Sequence, residues 1–208
     1  MSTTKFGEER AARWSDDAYA DGDRYLARRA DLVRRLGPPL VSGDTVLDLA
    51  CGDAGLAEFL LPHGLRYIGV DASPAMVAAA RHRLGERGSV ELGDLDGFRP
   101  PGRVAAATVF RALYYARDRA AFFRGVAEFT DRKLVFDLNP RRYALDDVRR
   151  ELAAAGWDRL TLRPFFVPQT VRVPGPLGRA LVAAETVRPL ARALLRFRFT
   201  YLCAASRS

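Results

Sequence analysis

The sequence predicts an α/β protein: a largely parallel sheet of about seven strands with helices on both faces. Three observations carry this. From Thr45 onward, short apolar runs alternate with helix-period segments, the pattern that right-handed strand–helix–strand crossovers produce. The first run ends in a carboxylate and a glycine turn, "VLDLACGDAGLAEFL" from Val46 to Leu60, and ligands of open α/β sheets bind at such strand ends. The 208 residues are 49% hydrophobic, ample for one core.

The elements follow in order. Residues 1–40 read as a helical cover of two helices, "FGEERAARWSDDAYA" and "DRYLARRADLVRRL". In the second, Tyr25, Leu26, Leu32, Val33 and Leu36 share one side with arginines opposite, and "GPPL" stops it. Residues 41–208 form the main domain. "TVLDLA" is a strand, "GLAEFLLP" a helix and "RYIGVD" a strand. "SPAMVAAARHRL" is a helix with Ser73 as N-cap and Pro74 in its first turn. "SVELGD" and "VAAATVF" are strands, "RDRAAFFRGVAEFT" a helix, "KLVFDLN" a strand and "ALDDVRRELAAAG" a helix. "DRLTLRPFFV" and "FRFTYLCAAS" are the last two strands. Between them runs a long excursion with Pro168, Pro174, Pro176 and Pro189, expected to hold one or two short helices.

Charge is unevenly placed. The net charge is +8, from 33 basic and 25 acidic residues. Residues 159–208 hold nine arginines and one acid, Glu185, which leaves 24 of each sign in 1–158. The excess therefore sits at one end and suggests an anionic partner there. Arginine is the default cation, since Lys5 and Lys133 are the lysines; that usage accompanies GC-rich bacterial genomes but does not explain the missing acids. No run of 18 apolar residues occurs, so no transmembrane helix is expected, and the polar start lacks a secretory apolar region. Cys51 and Cys203 lack metal spacing. A reduced, cytoplasmic protein without a metal is expected, and Cys51 has no nearby histidine to make it a nucleophile.

The glycine loop discriminates between ligands. In Ala50-Cys51-Gly52-Asp53-Ala54-Gly55 the first glycine of the dinucleotide pattern G-x-G-x-x-G is missing. A pyrophosphate wants backbone N–H groups and a positive helix end. Asp48 and Asp53 would oppose it: two unit charges at about 5 Å and an effective dielectric near 20 interact by roughly 3 kcal/mol. The same carboxylates suit a ligand with an ammonium, a sulfonium and no phosphate, and S-adenosylmethionine has those features. Asp71 ends the second strand and can accept from both ribose hydroxyls of either ligand type. Asp94 follows the third strand and can accept from an adenine amino group, with Leu95 beside it. Each aspartate alone reads equally well as a turn or cap residue.

These stretches, with "YIGVDASPAMVAAAR", "VELGDLDGF", "VAAATVFRALYYARD", "KLVFDLNP" and "ELAAAGWDRLTLRPFFV", resemble the class I S-adenosylmethionine-dependent methyltransferase superfamily over roughly Thr45 to Val167. The resemblance implies a Rossmann-like seven-stranded sheet with its last strand antiparallel. It implies that Asp48, Ala50, Cys51 and Gly52 hold the methionine end, that Asp71 and Ala72 hold the ribose, and that Asp94 and Leu95 hold the adenine. Gly55 would let the following helix approach, and Phe110 and Arg111 would face the ligand's amino group or the acceptor. Ala50 and Ala54 stand where the family often has glycine. The Asn-Pro-Pro-Tyr type signature of nucleic-acid amino methyltransferases is absent after the fourth strand, where "RALYY" stands; this argues against nucleic acid as substrate.

Methyl transfer is an in-line displacement in which the protein supplies alignment and charge, with a general base needed only for a weak nucleophile. His63 and His82 lie in a loop and a helix away from the strand ends that matter. Tyr114 or Tyr115 is expected to orient the acceptor and Arg142 or Arg111 to pair with its charge, with Asp137, Asn139 and Arg141 close by; packing tyrosines are the plain alternative. Tyr19, Asp23 and Tyr25 belong to the cover, and Tyr25 could reach the methionine carboxylate or be core. In the excursion, 168–196, Arg188, Arg192 and Arg196 recur at intervals of four among Leu177, Leu181, Leu190, Leu194 and Leu195, and Pro189 kinks the helix. It caps the acceptor pocket, lies solvated, or contacts an anionic membrane surface through 177–198.

The expected activity is O-methylation of an anionic or partly apolar small molecule by a monomer or homodimer, with S-adenosylhomocysteine as product. A membrane-surface methyltransferase acting on a lipid-like acceptor, an NAD-dependent oxidoreductase and a non-enzymatic membrane-surface protein stay open as other readings.

Overall fold

A computed structural model describes residues 18–187, 189 and 200–207. Helix α1, Gly22–Arg35, opens it, with Asp21 as N-cap. Then come β1 (Thr45–Leu49), α2 (Ala57–Leu60), β2 (Arg66–Asp71), α3 (Pro74–Leu84), β3 (Ser89–Leu92) and β4 (Val104–Val109). After these follow α4 (Arg119–Phe129), β5 (Thr130–Leu138), α5 (Leu145–Ala154), β6 (Arg159–Phe165), α6 (Gly175–Ala184) and β7 (Thr200–Ser206). The expected first helix and the stripe at Arg188, Arg192 and Arg196 fall outside the described residues, apart from the first helix's last three positions.

All seven strands join one sheet in the order β3-β2-β1-β4-β5-β7-β6. The first five pair in parallel, and β7 runs antiparallel to both β5 and β6. The order reverses between β1 and β4, so a crevice opens at their carboxyl ends. One face is covered by α1, α2 and α3, the other by α4 and α5, and the alternating residues of β1 divide accordingly: Val46 packs with the first group, Leu47 and Leu49 with the second. Ser73 and Pro74 start α3 as expected, Ser73 Oγ accepting from Met76 N.

Two buried ions fix the cover and the excursion. Lys133 on β5 is fully buried and its Nζ donates to the carbonyls of Arg34 and Leu36, at the negative end of α1. Glu185, the lone acid of the last 50 residues, is buried just after α6. It pairs with Arg28 of α1 and accepts from the Phe166 amide beside β6. Its shortage of neighbouring acids is thus answered by one that ties three elements together. Replacing Glu185 by alanine would leave Arg28 with Asp31 alone and the Phe166 N–H without its side-chain acceptor, and a loss of about 3 kcal/mol is expected in urea unfolding. Unchanged stability would remove the tie.

Candidate functional site

Parallel register lines the aspartates along one edge. Asp48 pairs with Gly69 and Thr108 on the neighbouring strands, Asp71 with Leu92, and Asp137 with Leu202. Between β1 and α2 the chain turns back through three residues with positive φ, Ala50 at 61°, Gly52 at 59° and Ala54 at 58°. The two alanines therefore hold conformations that cost an L-residue about 1–2 kcal/mol, which is why glycine is common at such places. The loop is held by its neighbours instead. Asp71 Oδ2 accepts from Gly52 N at 2.9 Å and Asp71 Oδ1 from Ser73 N at 2.9 Å. The Cys51 N–H donates to the Val70 carbonyl.

Asp53 departs from expectation. It turns away from the edge, accepts from Gly55 N, and pairs with Arg83 of α3 at 2.7 Å. Its charge is offset by that arginine, so the electrostatic case against a pyrophosphate rests on Asp48. Asp48 itself is buried, 4% exposed, and both oxygens are engaged: Oδ1 by the Thr108 hydroxyl at 2.6 Å and Oδ2 by the Tyr67 hydroxyl at 2.7 Å. Burial raises its carboxyl to about 6, against the lowering effect of those two hydroxyls and of Arg29. Burial also raises Asp71 above the ordinary range.

Asp94 acts first as a turn residue. Its Oδ1 accepts from the amides of Asp96 and Gly97, while Oδ2 lies 3.8 Å from exposed Arg117 and keeps acceptor capacity. Leu95 is half-buried beside it and lines a cleft of about 230 Å³ together with Asp96, Arg117, Phe122 and Val126. At the end of β4, Phe110 is buried, and Arg111 takes φ 54° and donates its N–H to Asp137 Oδ1 at 2.8 Å. Asp137 thus fixes a strained turn that aims the Arg111 guanidinium at the Gln169 side-chain amide, whose oxygen accepts from both guanidinium nitrogens at 2.9 and 3.1 Å once the amide is turned end for end.

Arg29 is the residue that the helical reading of α1 missed. It is 3% exposed and lies on the apolar side, four residues after Tyr25 and four before Val33, not opposite them. Its guanidinium sits 4.7 Å from the Tyr25 ring and 4.3 Å from the Phe110 ring, and Nη2 donates to Tyr25 Oη at 2.7 Å. Its Nε finds no acceptor among the described residues. A buried cation held by rings and one phenol, facing Asp48 and Asp137, is an incomplete ion site. Tyr25 stacks on Tyr19 at 4.3 Å and meets Phe165 edge-on at 5.1 Å. Burial raises the Tyr25 phenol to about 12, so it stays a hydrogen-bond donor and acceptor.

The acceptor candidates lie at the rim. Tyr114 is 43% and Tyr115 68% exposed, their rings 4.2 Å apart, so they do not pack beneath α5. The Arg142 guanidinium lies 4.9 Å from the Tyr114 ring. His63 contacts Arg34 and His82 lies exposed on α3, away from the edge. No group of three potential metal ligands occurs among the described residues.

Known proteins share this fold. Residues 46–132 match the methyltransferase domain family. An uncharacterized methyltransferase of Schizosaccharomyces pombe is 39% identical over 69 residues, 33% of this chain and 26% of that protein. The chain thus spans about a quarter of that relative's length. Among solved structures, a methyltransferase of Haloferax volcanii in complex with the Trm112 activator aligns with TM-score 0.64 and 21% identity, covering 97% of each chain. Magnesium protoporphyrin IX methyltransferase of Synechocystis, with S-adenosylmethionine bound, aligns with TM-score 0.60 and 18% identity, covering 100% of this chain and 86% of that one.

Proposed function

We propose that this chain, whose residues 46–132 match the methyltransferase domain family, is a class I S-adenosylmethionine-dependent methyltransferase that transfers a methyl group to a small anionic acceptor, with oxygen as the methylated atom. One observation carries the reading: aspartates at the carboxyl ends of β1 and β2 and just beyond β3 line one sheet edge, and Asp48 faces a buried arginine that has no carboxylate within hydrogen-bonding distance among the described residues. That donor set fits the cofactor. Arg29 supplies the missing half of an ion pair to the methionine carboxylate, Asp48 and the 50–52 backbone face the ammonium, Asp71 takes the ribose hydroxyls, and Asp94 with Leu95 the adenine. The bound cofactor supplies an electrophilic methyl carbon on a sulfonium. NAD is disfavoured by Asp48, by Ala50 in place of the first glycine, and by the antiparallel β7.

The protein's own part is alignment. Tyr114 is raised to about 12, chiefly by burial, so it orients a hydroxyl or carboxylate without removing a proton at neutral pH. An acceptor that is already a carboxylate or an acidic phenol needs no base, which supports an anionic acceptor. Arg142 and Arg111 would pair with its charge. Free Cys51 and Cys203 support a cytoplasmic setting. A second reading, contact with an anionic membrane, is favoured by exposed Val171, Leu177 and Val187 around Arg172 and Arg179; no helix among the described residues is long and apolar enough to cross a membrane.

The test is a methyl-transfer screen over carboxylate, phenol and amine acceptors, followed by Tyr114→Phe, Tyr115→Phe and Arg142→Ala on the best acceptor. Arg142→Ala is expected to lower kcat/KM by roughly 10- to 100-fold with cofactor affinity unchanged. Unchanged turnover in all three variants would move the acceptor site elsewhere. Transfer to amines alone would overturn the oxygen assignment.

A further inference from the structure

The clamp on Asp48 comes from two strands and uses two hydroxyls, both of which go to the one carboxyl. Thr108 stands directly beside Asp48 on β4, so its hydroxyl reaches Oδ1 across the ladder. Tyr67 comes from further down β2. Its register partner is Val46, two residues before Asp48 on the same face. To reach Oδ2 its ring must run along β2 over Gly69, and the space there is empty only because Gly69 has no side chain. A Cβ at Gly69 would stand 3.1 Å from Tyr67 Cε1 and 2.9 Å from Cys51 Sγ. Three positions on two strands are therefore spent on one carboxyl that lies beneath the loop. A core tyrosine needs a partner for its hydroxyl, but it does not need a charged one.

We propose that Tyr67 is a positioning residue for cofactor binding: with Thr108 it holds the Asp48 carboxyl ionised and in one orientation, so that the charge is ready for the cofactor's cationic end. The proposal rests on the methyltransferase reading for the identity of the ligand, and on this chain alone for the clamp. A hydroxyl that donates to a carboxylate favours its ionised form, and each such bond removed lets burial push the carboxyl further up. The other ionisable groups around the pair are Arg29 from α1, which favours the charge, and Asp71 of β2, which opposes it. Cys51 in the loop and Asp53 also face Tyr67, and burial holds the Cys51 thiol well up, so it stays neutral. Arg29 alone among these works with the hydroxyls.

Two readouts test this on the full chain: the carboxyl carbon-13 titration of Asp48 without ligand, assigned with Asp48→Asn, and calorimetric affinity for S-adenosylhomocysteine between pH 5.5 and 8.5. In the wild type both should turn near the same pH, about 6. In Tyr67→Phe both should move up together by about one pH unit, with affinity at pH 8.5 within about threefold of wild type. Thr108→Val should act in the same direction and Thr108→Ser should restore the wild-type profile. If Asp48 titrates as before in Tyr67→Phe, the clamp is overturned. If its titration moves while the affinity profile stays, the link to the cofactor is overturned. If wild type binds no adenosyl ligand at any pH while the titration still moves, the methyltransferase reading falls and the clamp remains.

Discussion

Arg29→Met is expected to weaken S-adenosylhomocysteine binding by about 100-fold in calorimetry while leaving the protein folded. A charge-assisted hydrogen bond to a carboxylate is worth about 1.5–3 kcal/mol, and the guanidinium offers it from a site that excludes water. Methionine suits the cage of Tyr25, Phe110 and Phe165, whose rings lie 4.7, 4.3 and 5.9 Å from the guanidinium carbon. Arg29 has no carboxylate within hydrogen-bonding distance among the described residues, but it offsets ionised Asp48 and donates to the Tyr25 hydroxyl, so its removal should lower the thermal midpoint at pH 7.5 by a few degrees and less at pH 4. Arg29→Lys keeps the charge but loses the planar fork and the ring contacts, so roughly a tenfold loss is expected. Full affinity in Arg29→Met would return the residue to the core and leave the methionine end to other groups.

Asp48→Asn should set binding against stability. The wild-type carboxyl rises from its ordinary value near 4 to about 6 on folding, chiefly by burial. The folded protein therefore holds this proton more tightly than the unfolded chain. The stability it contributes is complete below about pH 4 and is lost as pH rises through 6. At neutral pH the ionised group costs about 3 kcal/mol, and the amide avoids that cost. Asp48→Asn is expected to melt several degrees higher at pH 7.5 and near wild type at pH 4. Its affinity for S-adenosylhomocysteine should fall by roughly 10- to 100-fold. A lower midpoint at pH 7.5 would mean that Arg29, Tyr67 and Thr108 together outweigh the burial.

Asp48 is a charge that burial disfavours, and Arg29 is a buried cation that the phenols and carboxylates around it favour; both are kept where a ligand can use them. They also explain why the cover is built into the core. Tyr25, Leu26, Leu32 and Val33 of α1 pack with Val46, Ala106 and Val135 of the sheet, and the Glu185 and Lys133 ties hold the helix at its middle and at its C-terminal end. Arg29 is thereby fixed over β1 and β4 in place of swinging from a loose arm.

The strands, the edge at which ligands bind and the aspartates on it were legible in the sequence, because each depends on local pattern. Apolar runs at strand length, glycine turns and an N-cap such as Ser73 act within a few residues. The sequence by itself thus determined the seven-stranded α/β framework, the loop after β1, and the placement of Asp48, Asp71 and Asp94. Only the tertiary structure decided what each charge faces. Asp53 was drawn to Arg83, thirty residues on, and away from the ligand edge. Arg29 read as one of several arginines on a solvated helix face, yet α1 docks so that this one is buried. Tyr67 and Thr108 carry no local signal of a role; only the β2-β1-β4 order brings their hydroxyls to one carboxyl. The physical reason is range: periodicity reports which side of an element is apolar, whereas the charge state of a buried group depends on partners that only the fold brings within hydrogen-bonding distance.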